Sequence, residues 1–115
     1  MKNFDIRFRL ADSEYMTAVR LAVGAVCAAA DVNIDSAEDM KVCVTESCLI
    51  LKGCGCEGVK IPLGIGGGVN AEIEGVGGSP VESDIDFSLA LVSALVADCT
   101  LEKTDGVISK LTLKL

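Results

Sequence analysis

An α+β sandwich, with one mixed sheet covered on one face by helices, is the fold this sequence predicts. Three observations predict it. The 115 residues are half hydrophobic, which suits a single folded domain spanning 1–115. Some stretches alternate apolar and polar residues with the period of a strand, while others repeat with the period of a helix. These segments follow one another in the order β-α-α-β-β-α-β-β, strands clustered and helices set between them.

The first element is a strand. Phe4, Ile6, Phe8 and Leu10 alternate with Asp5, Arg7 and Arg9, the pattern of a half-buried strand. Asp12-Ser13 then offers a cap for a helix running to about Ala30. Its apolar stripe is Tyr15, Val19, Ala22, Val23, Val26, Cys27 and Ala30, at helical spacing. Asp31 to Asp35 read as a loop. Ser36-Ala37-Glu38-Asp39 opens a second helix in the manner of a capping box, and glycines end it after about Lys52. Its second half, Cys48-Leu49-Ile50-Leu51, is apolar almost all round and so expects cover on more than one side.

Val59 to Ile65 and Val69 to Val76 read as a strand pair joined by Gly66-Gly67-Gly68. Gly77-Gly78-Ser79-Pro80 breaks the chain. Ser83-Asp84-Ile85-Asp86 opens a third helix, Phe87 to about Ala97, apolar on most faces and therefore expected to be buried. Asp105-Gly106 turns a hairpin between Cys99–Thr104 and Val107–Leu115, a strong turn signal. No repeat or linker interrupts the series.

Charge and composition narrow the function. The net charge is −7 and the ten Lys and Arg residues are dispersed, so phosphate backbones are repelled and nucleic acid is excluded as a partner. No apolar run reaches the ~18–20 residues of a membrane span, and Met1-Lys2-Asn3-Phe4-Asp5 lacks the apolar stretch of a signal peptide. A cytoplasmic protein without a membrane partner is expected. Its six cysteines are then reduced thiols. Cys27, Cys43, Cys48 and Cys99 sit in apolar periodic segments, where cysteine acts as a small hydrophobe. Cys54-Gly55-Cys56 lies in a Gly-rich turn and is the one candidate thiol pair for a soft metal. The chain has no His and no second pair at finger spacing, so no metal is expected there.

Ala18-Val19-Arg20, together with Asp39-Met40-Lys41-Val42-Cys43-Val44-Thr45-Glu46-Ser47-Cys48, resembles the anti-sigma factor serine/threonine kinases, which share the histidine-kinase-like (Bergerat) ATPase fold. Ile73-Glu74-Gly75-Val76-Gly77 falls where that family has Asp-x-Gly-x-Gly. Asp84-Ile85-Asp86-Phe87 falls where it has a Gly-x-Gly-Leu/Phe turn before its last helix. The resemblance spans nearly the whole chain and implies that fold, with only about ten residues between Gly77 and Phe87 where the family inserts a longer lid.

What the resemblance implies about chemistry is mostly loss. The family's helix motif is Glu-x-x-x-Asn, the Glu a general base and the Asn a Mg²⁺ ligand. Glu46 matches the Glu and is a vestigial catalytic position, but Ile50 stands at the Asn and offers no oxygen to a hard cation. Glu46 then lies either at the lip of an emptied site or as a solvated helix residue. Ile73 replaces the Asp that accepts from the adenine amino group. Gly75 and Gly77 match the family glycines, and a tight turn alone would account for both. Asp84 and Asp86 occupy the helix start that the family keeps bare for phosphate. Two carboxylates there oppose the anion affinity of a helix N-terminus, although Ser83 and Asp86 also have capping-box spacing. An apolar ligand in a shrunken pocket walled by Ile50 and Ile73 is a further possibility.

The expected function is a non-catalytic, anti-sigma-like regulator that binds a protein partner, a sigma factor or an anti-anti-sigma antagonist, and has lost ATP. No cofactor is expected. Arg20 matches an arginine of the family's partner-binding first helix, and the family's homodimers imply one here. The alternative is an ATP-binding kinase with residual activity through Glu46, with ATP and Mg²⁺ as its cofactors.

Overall fold

The computed structural model describes residues 2–11, 14–66 and 68–115. The expected Asp12-Ser13 cap and the middle of the Gly66–Gly68 turn lie outside them. The elements are β1 (Lys2–Arg9), α1 (Tyr15–Ala29), α2 (Ile34–Gly53), β2 (Gly58–Ile65), β3 (Val69–Val76), α3 (Asp86–Leu95), β4 (Asp98–Thr104) and β5 (Val107–Lys114). This is an α+β arrangement with the expected order of elements.

The sheet runs β1-β2-β3-β5-β4, and every neighbouring pair is antiparallel. The expected mixed sheet is therefore corrected to a wholly antiparallel one. Two features of the path explain it. Two helices separate β1 from β2, so the chain goes out along α1 and returns along α2, entering β2 in the opposite sense to β1. The single helix α3 does make β3 and β4 run the same way. However, β5 lies between them, so these parallel strands never meet.

One face of this sheet is the core. Ile61 faces Ile6, Leu63 faces Ala71, and Ile73 faces Leu111, which in turn faces Leu101. Val59, Ile61, Leu63, Ala71, Ile73, Leu111 and Leu113 are all buried, as side chains two apart on one face must be when helices cover it. The opposite face carries the charges: Lys110 lies 3.4 Å from Glu72 and 3.9 Å from Glu102. Pro62 sits in the middle of β2, where it lacks a donor. The β2–β3 pairs at Ile61 and Pro62 are absent, while the register is the same on either side.

α2 is the central helix, packed against α1, α3 and the sheet. Met40, Cys43, Val44, Ser47, Cys48, Ile50 and Leu51 are buried, which meets the expectation of cover on several sides. The hydroxyls of Thr45 and Ser47 donate one turn back, to the carbonyls of Lys41 at 2.8 Å and Cys43 at 2.7 Å, so neither is left unsatisfied. The start of α2 differs from the expected capping box. Asn33 is the cap: its backbone is extended and its side chain accepts the N–H of Ser36 at 2.8 Å. Ile34 and Asp35 are thereby helical instead of loop.

α3 is also corrected. Its sequence is apolar on most faces, yet Phe87 is 82% exposed and Val92 is its one fully buried residue. The helix lies at the margin of the helical layer, against α2 and β4, so only one stripe has anything to pack on. The Cys43 thiol approaches the Val92 carbonyl at 3.7 Å. The Asp105-Gly106 hairpin is as expected: both residues have positive φ, 54° and 78°, the geometry that fits the strand twist.

Candidate functional site

The cleft that bears on function opens where the loop leaving β3 crosses the end of α2 and meets the β4–β5 hairpin. Its geometry begins with glycines. Gly55, Gly77 and Gly78 all have positive φ, a conformation that costs a side-chain-bearing residue about 1–2 kcal/mol. Their bareness also serves contact. A Cβ on Gly78 would strike the Gly55 carbonyl, and one on Gly55 would strike the Ser79 carbonyl. The two loops lie backbone on backbone, tied by the Val81 N–H to the Cys54 carbonyl at 3.0 Å and the Glu57 N–H to the Val76 carbonyl at 3.1 Å.

Besides an open groove of 840 Å³ that runs past Arg7, Arg9, Glu57 and Gly77, two compartments border this junction toward the β4–β5 hairpin. The larger, 340 Å³, lies between the first turn of α3 and the hairpin, with Ile85, Leu89, Leu101 and Ile108 as apolar lining. Its charged rim has the carboxylates of Glu82 and Asp86 against the single ammonium of Lys103. The smaller, 220 Å³, lies over Gly75, Gly77 and Gly78 and shares Cys54, Val107 and Ile108 with the first. Neither is deep.

The residues singled out by the sequence fall in different places. Gly75 and Gly77 line the smaller compartment and Asp86 the larger. Gly77 makes a turn, with φ of 72°, but Gly75 does not need to be glycine for its backbone. Its bareness is filled by Cys56, whose sulfur lies against it. The Ser83–Asp86 capping box does not form: α3 has no side-chain cap. Asp84 instead accepts the Asp86 N–H at 3.3 Å.

Ile50 and Ile73 are 2% and 0% exposed and border neither compartment. They belong to the core, so they are not the walls of an apolar pocket. Glu46 is half-buried on the flank of α2, between exposed Leu49 and buried Ile50. It lines neither compartment. Its charge is felt at Cys43: burial first, then Asp39, Cys99 and Glu46, push that thiol up to about 11. A thiol so raised is protonated and unreactive at neutral pH.

The Cys54-Gly55-Cys56 pair is shaped by packing. Cys54 is buried and Cys56 half-buried. Burial raises the Cys54 thiol, offset in part by the Ile108 backbone, and burial then Cys54 raise that of Cys56. Among the described residues no group of three or more His, Cys, Asp or Glu side chains is arranged to hold a metal. No helix among them is long and apolar enough to cross a membrane.

Arg20 lines neither compartment of the cleft. It is exposed on α1 and borders a groove between α1 and the first half of α2, with Leu21 and Lys41 among the neighbours. Leu21 is 71% exposed. The alkyl chain of Lys41 lies across bare Gly24, with Cε 2.9 Å from where a Cβ would be, and its ammonium pairs with Glu38 at 2.8 Å.

Sequence reasoning missed Glu82, Lys103 and Ile108 as cleft residues. The signal was present in the Asp105-Gly106 turn, which folds Lys103 and Ile108 back toward the loop leaving β3. No protein-family model and no curated protein matches the chain, so its function is argued from this geometry.

Proposed function

We propose that the chain is a non-catalytic regulatory module that binds a protein partner, built on the scaffold of the anti-sigma serine/threonine kinases and without their use of ATP. One observation carries this reading. The positions that the resemblance assigns to Mg²⁺ and adenine, Ile50 and Ile73, are buried core side chains that line neither compartment of the cleft. A hard cation needs oxygen ligands, and a buried aliphatic chain supplies none. The cleft that remains is rimmed by Glu82 and Asp86, which oppose a triphosphate.

The surface suited to a partner is the groove beside Arg20. It sets Arg20 beside an exposed leucine on a chain of net charge −7, while the Lys41 ammonium is held by Glu38 on the same groove. An apolar contact beside a positive site fits an acidic, amphipathic segment. A sigma factor or an anti-anti-sigma antagonist is the partner class the resemblance favours. The test has two parts. Titration calorimetry with Mg-ATP should give no binding heat; saturable binding would replace this reading by that of a residual kinase. Affinity capture with wild-type protein and with Arg20→Glu should differ in one specific partner, and identical captured sets would remove Arg20 from the interface.

A further inference from the structure

We propose that the outward face of α3 docks a basic amphipathic helix of a partner protein, Phe87, Ala90 and Ala94 forming the apolar stripe and the acidic segment before α3 its charged rim. α3 is apolar on both of its sides. Leu89, Val92 and Leu95 form the covered row, packed on the core beside α2 and β4. Phe87, Ala90 and Ala94 stand on the other side at i, i+3 and i+7 spacing. All three are exposed, and α3 holds no Lys or Arg. A helix apolar all round is normally enclosed; here the second stripe has nothing in this chain to pack on, the mark of an interaction surface.

Charge names the occupant. Residues 61–102 hold seven of the seventeen carboxylates and none of the ten cations, so the whole net charge of −7 arises there. Four of the seven are served on the sheet. Lys110 engages Glu72 and Glu102, Glu74 stands between Lys60 and Lys110, and Asp98 faces Lys114. Glu82, Asp84 and Asp86 are different. They lie exposed within five residues at the entry to α3, and no ion pair among the described residues uses them. Lys103, which shares the larger compartment with Glu82 and Asp86, is one cation against three carboxylates.

Three kinds of occupant cover apolar helix faces, and this rim separates them. A second copy would bring three more carboxylates and an α3 without cations. A bilayer with anionic headgroups would be repelled. A helix whose lysines or arginines flank an apolar seam would be attracted during encounter and after docking. The stripe is ~10 Å long at the rise of a helix, enough for two turns of such a segment. Small side chains at Ala90 and Ala94 let it approach closely, and Phe87 supplies the aromatic anchor. This surface shares no lining residue with the Arg20 groove and stands whatever that groove binds.

The probe is a synthetic amphipathic helix of Leu, Ala and Lys, titrated into the ¹⁵N-labelled full chain. Amide signals of Glu82 to Leu95 should shift saturably, and a peptide with Glu in place of every Lys should shift none. Phe87→Gln and Ala94→Arg, both at exposed positions, should each weaken binding about tenfold with an unchanged melting temperature. Asp84→Asn with Asp86→Asn should weaken it most at low salt, and Arg20→Glu should leave it unchanged. Absence of shifts at α3 with millimolar peptide, or equal shifts with the Glu peptide, would overturn the proposal. So would binding that survives both Phe87→Gln and Ala94→Arg, or that is lost with Arg20→Glu. Phosphatidylglycerol vesicles that broaden the α3 signals would overturn it in favour of a membrane. A wild-type dimer that Phe87→Gln separates would overturn it in favour of a second copy.

Discussion

The sulfur of Cys56 occupies the space that a side chain at Gly75 would need. The loop after α2 and strand β3 are fitted to one another at this contact, and the fit can be measured from both sides. Gly75 lies in β3 without positive φ, so alanine there meets no backbone objection and its cost is overpacking alone, about 1–3 kcal/mol. Gly75→Ala should lower the urea midpoint accordingly. Adding Cys56→Ala should recover most of the loss, and a full additive loss would show that the two residues are not in contact.

Two other glycines should behave differently. Gly106 has positive φ but open space around it, so Gly106→Ala should cost about 1 kcal/mol of backbone strain. Gly78 also has positive φ, 72° against 78°, but its missing side chain would strike the Gly55 carbonyl. Gly78→Ala should cost several times more, because backbone cannot rotate away as a flexible side chain can. Thermal melts of the two variants give the ordering directly.

The buried thiols make stability fall in alkali. Burial pushes Cys43 up to about 11 and Cys48 up to about 12, against 9.0 for an ordinary thiol. The native state therefore holds protons that the unfolded chain has released. The stabilisation is full below pH 9 and is lost as pH rises toward the raised values. The slope is about 1.4 kcal/mol per pH unit for each thiol. Urea unfolding at a series of pH values should show this decline, and Cys43→Ala with Cys48→Ala should flatten it. At neutral pH a thiol reagent should label half-buried Cys56 and Cys99 well before these two.

Introducing at Ile73 and Ile50 the residues that the resembling kinases carry should destabilise the protein and confer no nucleotide binding. Ile73→Asp places an unpaired carboxylate in a site with no exposure, at a cost above about 3 kcal/mol. Ile50→Asn loses packing and buries an amide, about 3 kcal/mol. Circular dichroism should show both variants weakened, with no gain in Mg-ATP binding. A stable Ile73→Asp protein that binds ATP would mean that the cleft and the core are continuous there, against the geometry described.

Much of this fold was legible because its signals are local. Asp105-Gly106, the strand pair around Gly66–Gly68 and the stripe of α1 each rest on residues adjacent in the chain. The sheet direction was not, because it depends on β5 inserting between β3 and β4, which no local pattern encodes. Phe87 misled for a related reason: an apolar helix reads the same whether it is enclosed or lies at the margin of a layer. Of the cleft, Gly75, Gly77, Asp86 and the Cys54-Gly55-Cys56 turn were legible by residue type, while Glu82, Lys103 and Ile108 and the placement of them all were not. Ile50 and Ile73 were identifiable as unable to bind metal or adenine, but that they line neither compartment of the cleft depends on how α2 rests on β3.

The position of β5 bears on how the chain is made. β4 leaves the ribosome before β5, yet it touches the rest of the sheet only through β5. Until that later segment is synthesised, β4 has no strand to join and α3 only one flank to lie on, while β3 presents an unfilled side. A nascent chain halted between these two strands should remain protease-sensitive from residue 86 onward, and closure should come in a single late step when β5 threads into its slot.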